Sequence, residues 1–301
     1  MIVRRIAVIA GMLALALMSP PALAQSKIKV VASFSILADL VKNVGGDRTE
    51  VAAIVGAGSD AHVYAPTPAD ARKVAEARLV IVNGLGFEGW IDRLVKASGS
   101  KATVVVATNG LKARRAGGGH DHDRGRGVDP HAWQDVRNMK IYVANIRDAL
   151  AAADPSGAAA YQANAAAYSA KLDALGTEVR SAVAKIPAAR RKIITNHDAF
   201  GYFEAAYGIK FIAPQGVATD SEPSARDVAR IISQIKRQKI PAVFLENVSD
   251  PRLMQRIAKE TGAKIGGTLY SDALTEANGP APTYIEMIRH NLTTLAGALT
   301  S

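Results

Sequence analysis

Short β-rich runs alternate with amphipathic helical patterns along nearly the whole chain, and this alternation limits the fold more than any other feature. In the first half the runs are IKVVASF (28–34), EVAAIV (50–55), LVIVNG (79–84) and ATVVVAT (102–108). In the second half they are KIITN (192–196), KFIAPQG (210–216), AVFLENV (242–248) and KIGGTLYS (264–271). The stretches between them, such as ILADLVKNVG, TPADARKVAEA and ARDVARIISQIKRQK, carry apolar residues at helical spacing. Strands that alternate with helices pair in parallel, because each helix returns the chain to the same end of the sheet.

Between the halves lies an Ala-rich stretch, Pro155 to Pro187, free of internal proline. Good helix formers fill it, Ser156 is placed to cap its start, and Pro187 marks its end. A helix of about 28 residues reaches about 42 Å, longer than one βαβ crossover needs. A second helix, VRNMKIYVANIRDALAAAD, precedes it and turns at Asp154–Pro155. The expected fold class is α/β: two lobes, each with a mostly parallel sheet flanked by helices, joined by one long rigid linking helix. The expected divisions are a leader at 1–24, a first lobe at 25–154 with a Gly/His/Asp loop at 116–127, a linking helix at 155–187, and a second lobe at 188–301.

The leader has its own signature. Arg4 and Arg5 precede the apolar run IAVIAGMLALALM, and SPPALA follows with small residues at Ala22 and Ala24. A charged region, an apolar region and an A-x-A site read as a secretory signal. The run is too short for a comfortable membrane span. The expectation is a soluble, periplasmic mature chain starting near Gln25. The chain has no Cys, so it forms no disulfides, carries no lipid-bearing Cys at the cleavage site, and must build any metal site without thiolates. Its formal charge of +10 includes Arg4 and Arg5. The remaining basic residues are spread along amphipathic helices with no basic–aromatic cluster, so nucleic acid is not an expected partner.

Four metal-ligating side chains stand just after strands or in the loops beyond them. They are His62 in SDAHVYAPTPAD, His131 in DPHAWQDV, His197 in IITNHDAFGYF and Asp272 in TLYSDALT. Ligands of open α/β sheets collect at the carboxyl ends of strands, so two lobes that face each other would bring all four into one cleft. Three imidazoles and a carboxylate suit Zn(II), although imidazole also serves manganese and iron. Taken singly, a histidine in a loop is more often a surface or packing residue, and Asp272 alone could be a turn residue.

Five linked motifs carry a resemblance. DAHVYAPTPADARKVAEARLVIVNGLGFEGW, DPHAWQDV, ITNHDAFGYFEAAYGI, FLENVSDPRLMQRIAKETGAK and LYSDALT…GPAPTYIEMIRHN occur in this order over nearly the whole mature chain. Together they resemble the cluster 9 (A-I) solute-binding proteins of zinc and manganese ABC transporters. The resemblance implies one metal held between two lobes by His62, His131, His197 and Asp272, a rigid linking helix, and periplasmic delivery to a membrane permease. Manganese-type members often carry Glu at the third position. His197 therefore points to a zinc-type member with Zn(II) as transported ligand, and Mn(II) or iron as the alternative. Further expectations are a monomer and a metallochaperone as a second partner.

The chain departs from the family motif at Ala61 and Ala65, where Pro and Glu are common, and the lost carboxylate could soften support for the site. His120 and His122, with Asp121 and Asp123, resemble a much-shortened His-rich loop and form a candidate capture site. Set against this is a Gly-rich linker that binds nothing specific. Glu246 is a candidate to orient a histidine or to bond local backbone. Trp133 either shields the site or simply packs. His290, in YIEMIRHNLTTLAGAL, reads as a helix-surface or packing residue. A zinc hydrolase is the rival class, but it keeps a coordination position open for water. Four protein ligands close the shell and there is no H-E-x-x-H, so an enzyme is not expected. A solute receptor with a structural metal is the third reading.

Overall fold

The computed structural model describes residues 27–117 and 127–300. The leader at 1–24 and the four capture residues His120, Asp121, His122 and Asp123 lie outside the described residues. Strands β1 (Ile28–Phe34), β2 (Thr49–Val55), β3 (Leu79–Val82) and β4 (Thr103–Val106) form one sheet in the order β2-β1-β3-β4, all parallel. Strands β5 (Lys192–Ile194), β6 (Lys210–Ile212), β7 (Ala242–Glu246) and β8 (Lys264–Leu269) repeat that order as β6-β5-β7-β8, again all parallel. The two-lobe α/β expectation holds. Strand β3, LVIV, is buried at every position, as a parallel strand covered on both faces must be.

Helices α1 (Ser35–Gly45), α2 (Pro68–Glu76), α3 (Ile91–Ser98) and α4 (Met139–Ala153) belong to the first lobe. Helices α6 (Gly201–Tyr207), α7 (Ala225–Gln238), α8 (Arg252–Thr261) and α9 (Tyr284–Thr300) belong to the second. Two starts show how local sequence fixes an element. Thr67 and Asp70 exchange hydrogen bonds in a capping box before Pro68 at the first turn of α2, and Ser224 accepts from the Asp227 N–H at the start of α7.

The linking helix is α5 (Ala158–Ala184), 27 residues and about 40 Å long. Its buried stripe is Tyr161, Ala165, Tyr168, Leu172, Leu175, Val179 and Val183. Spacings of three and four put these on one face, which packs against α1, α4 and α9. The expected limits need correction. Pro155–Gly157 form a separate 3₁₀ turn, and Ser156 does not cap α5. Its hydroxyl instead bonds Asp154 and receives Arg48, a cluster that also holds the Tyr161 hydroxyl.

The cores do not divide as the lobes do. One continuous apolar core runs from β1 and β3 through α1, α4 and α5 to α9, α6 and the inner face of the second sheet. A second, smaller core lies on that sheet's outer face, where Ile231, Ile235, Met254 and Ile257 of α7 and α8 meet Ile194 and Val243. Most strands also end sooner than expected at their carboxyl ends, for example at Val82, Val106, Ile194 and Leu269. Among the described residues no helix is long and apolar enough to cross a membrane.

Candidate metal centre

The turn after β2 presents His62. Its backbone N–H donates to Asp60 Oδ1 at 2.8 Å, and the preceding carbonyl of Ala61 accepts from Trp90 Nε1 at 2.7 Å. Ala61 is fully buried while Ala65 is exposed. The first departure from the family motif is thus packed and anchored, and the second lies on the surface. Trp90 and Asp60 do the local bracing.

His131 follows Asp129–Pro130 before a 3₁₀ turn, Ala132–Gln134. Asp129 Oδ1 accepts from the His131 N–H at 3.0 Å and lies 2.9 Å from its Nδ1. That contact assigns the ring proton to Nδ1 and leaves the Nε2 lone pair facing the cleft. His197 follows β5 and is built the same way with a partner from another strand. Glu246 Oε1 accepts from the N–H groups of Asn196 (2.7 Å) and His197 (3.0 Å), and its Oε2 lies 2.6 Å from His197 Nδ1. Glu246 thus bonds local backbone through one oxygen while its other oxygen lies against the His197 ring.

Asp272 follows β8 in a turn braced from both lobes. Trp133 Nε1 and Gln134 Nε2 each donate to Ser271 O at 2.8 Å, and Leu274 N–H donates to Ser35 Oγ at 3.0 Å. From its own lobe, Asn247 accepts from Ser271 N–H and donates to Ala273 O. Trp133 is fully buried, with its ring 5.2 Å from that of His131 and packed on Phe34 and Phe87. It both packs and positions.

The four side chains converge. His62 Nε2 lies 3.2 Å from His131 Nε2 and 3.6 Å from Asp272 Oδ2, and His131 Nε2 lies 3.6 Å from Asp272 Oδ1. His197 Nε2 lies 3.1 Å from Asp272 Oδ2. One donor atom from each of the four lies within 4.8 Å of the other three. His197 Nε2 and both oxygens of Asp272 are buried without a hydrogen-bond partner, which is costly unless a cation or proton compensates.

The electrostatics agree with a site awaiting positive charge. Burial opposes charge on His197, but the carboxylates of Glu246 and Asp272 outweigh it and hold its pKa well above the ordinary histidine value. Burial would push the Asp272 carboxyl up, yet the imidazoles of His197 and His131 hold it well below the usual range. Burial lowers His62, with Asp272 opposing. Both shifts favour the charged forms of Asp272 and His197, so a divalent ion binding His197 competes with its proton.

His290 is not brought to this centre. Its Nε2 lies 3.1 Å from Thr268 O and its ring packs on Tyr270, so it is a packing residue. The sequence reading missed Asp129, Asp60 and Gln134. Asp129 had a visible signal, a carboxylate two residues before a candidate ligand. Asp60 had the same signal, two residues before His62, whereas Gln134 had none, because it acts on the Ser271 carbonyl in a turn distant in sequence.

Comparison with known proteins places this geometry in a family. The family model described as zinc-uptake complex component A, periplasmic, matches residues 30–298. The manganese-binding lipoprotein MntA of Halalkalibacterium halodurans is 36% identical over 272 residues, covering 90% of this chain and 88% of that protein. The iron-binding protein YfeA of Yersinia pestis is 33% identical over 271 residues, covering 90% and 86%. Among solved structures, the periplasmic zinc-binding protein TroA of Treponema pallidum superposes with a TM-score of 0.85 at 30% identity, covering 92% of this chain and all of that one. A manganese-bound periplasmic metal-binding protein of Candidatus Liberibacter asiaticus gives 0.80 at 32% identity, covering 91% and 100%. The chain belongs to the zinc-uptake complex component A family of periplasmic proteins.

Proposed function

We propose that this chain is an extracytoplasmic receptor that holds one divalent transition metal on His62, His131, His197 and Asp272 and passes it to the membrane permease of an ABC importer. It is a substrate-binding protein and not an enzyme. One observation carries the reading: four buried donor groups from two lobes face one point. A hydrolase needs an open coordination position for water, and this donor set closes around its ion.

Zinc is the cargo that the donor chemistry favours. A tetrahedral ion about 2.0–2.1 Å from its nitrogens sets ligand–ligand edges of about 3.3 Å. The observed separations of 3.1, 3.2 and 3.6 Å bracket that value. Manganese is the second reading, and it has its own observation. The two oxygens of Asp272 face different imidazoles, so a bidentate carboxylate would raise the donor count and suit a larger, oxygen-preferring ion. Relatives named for manganese and iron support it.

The test strips the mature protein, offers equal Zn(II) and Mn(II), and measures what stays bound after gel filtration. The expected result is one zinc per chain in the wild type, none in His131→Ala, and a gain of manganese in His197→Glu. Manganese retained by the wild type against equal zinc would replace the zinc reading with the manganese one.

A further inference from the structure

The donor groups are sealed. The side chains of His131, His197 and Asp272 have no exposure, and that of His62 has 4%. No ion reaches or leaves them until some part of the protein moves, and the packing indicates which part that is.

The two lobes are a poor candidate for wide separation. The continuous core joins them, and buried bonds cross between them. Tyr284 N–H donates to Asp39 Oδ2 at 3.0 Å, and the Tyr284 hydroxyl donates to Trp133 O at 2.7 Å. The layer of α7 and α8 is different, since it packs on a separate small core of its own. Segment 213–224 leads into α7 and reaches across to the first lobe, where the Thr219 hydroxyl donates to Asp60 Oδ2 at 2.6 Å. The other oxygen of Asp60 accepts the backbone N–H of His62. Beneath the segment is a recess of about 530 Å³ bounded by Asp60, Asn196, Thr219 and Asp250. Two of its lining residues, Asp60 and Asn196, stand two and one positions before His62 and His197 in the chain.

We propose that segment 213–224 is a strap across the cleft mouth, latched by the Thr219–Asp60 hydrogen bond, and that Asp60 is the positioning residue coupling the latch to the His62 turn. The proposal rests on the metal-receptor reading. The latch governs how fast the ion escapes: breaking it frees the strap and loosens the His62 turn in one step. The strap lifts with the α7–α8 layer while the continuous core stays intact.

The test loads the full mature chain with Zn(II) and follows its release to a chromophoric chelator by stopped flow. Loss of one hydrogen bond to a carboxylate corresponds to about tenfold or more. Thr219→Val is therefore expected to release zinc about tenfold faster, with one zinc still bound at equilibrium and an unchanged melting temperature of the metal-free chain. Thr219→Ser keeps the bond and should behave as wild type. In parallel, amide hydrogen exchange of the metal-free chain should quicken across 213–224 in Thr219→Val alone. Release and exchange at wild-type rates in Thr219→Val overturn the latch, as does equal acceleration in Thr219→Ser. A wild type that retains no zinc counts against the receptor reading, and the exchange arm then decides the latch by itself.

Discussion

The two sheets share one strand order, and each has a buried glutamate in the notch between its first and third strands, where strand order switches and ligands collect. In the first lobe Glu88 accepts from the N–H groups of Asn83 (2.6 Å) and Gly84 (3.1 Å) and from the Ser33 hydroxyl (2.5 Å). In the second lobe Glu246 accepts from two successive N–H groups in the same manner, but its second oxygen lies against the ring of His197. The same device therefore serves two ends. Glu88 is committed to framework, and burial raises its pKa. Glu246 bonds framework and also lies against His197, one of the four candidate ligands.

That contrast can be broken most sharply by removing both carboxylates in turn. Glu246→Ala should weaken metal affinity about 10–100-fold, the usual cost of losing the partner behind a ligating histidine. Glu88→Ala should leave affinity within about threefold but lower unfolding free energy by about 2–5 kcal/mol, because two buried N–H groups lose their acceptor. Competition titrations and urea melts on both variants measure this, and equal loss of affinity in the two would erase the distinction.

The next test compares the carboxylates behind two ligands. Asp129→Asn keeps an oxygen for His131 Nδ1–H but removes the charge, so affinity should fall about tenfold. An effect of that size by calorimetry would make Asp129 the counterpart of Glu246, whereas an unchanged affinity would make it framework like Glu88.

A smaller effect is brought out by acid at the start of α2. Burial pushes the Asp70 carboxyl up, but the Thr67 N–H and hydroxyl and Lys73 bring it down to about 2 from an ordinary 3.8. A depressed folded value means stability that is full above the unfolded pKa and lost as pH falls through the folded one. Wild type should thus lose stability between about pH 4 and pH 2, and Asp70→Asn should show a shallower loss over that window in denaturant melts. The smallest expected effect is at the caps. Thr67→Ala and Ser224→Ala should each cost about 1 kcal/mol. A larger loss of strap protection in Ser224→Ala than in Thr67→Ala would sharpen the contrast between the first lobe and the α7–α8 layer.

Much of this was legible in the sequence. Apolar runs such as LVIV and IKVV declare buried parallel strands, and α2 is announced by Thr67, Pro68 and Asp70. The four candidate ligands stood out because they lie in turns and loops beyond strands, as His62 does after β2, His197 after β5 and Asp272 after β8. Strand ends were not legible, because the backbone N–H groups of Asn83 and Asn196, just beyond β3 and β5, are taken by the buried carboxylates of Glu88 and Glu246 instead of the ladder. The cap at Ser156 failed because Asp154 and Arg48 compete for its hydroxyl. The shared core was invisible for a different reason. The inward residues of α5 and α9 look the same in sequence whether they face one lobe or two. Glu246 was identified, yet its double role depends on β5 and β7 being neighbours, a fact of topology.

The central claim is that these four side chains share one ion, and crystallography of metal-loaded protein at the absorption edge tests it most directly. The expected result is one anomalous peak bonded to His62 Nε2, His131 Nε2, His197 Nε2 and Asp272. A peak elsewhere, or none in protein shown to carry one metal per chain, would contradict it.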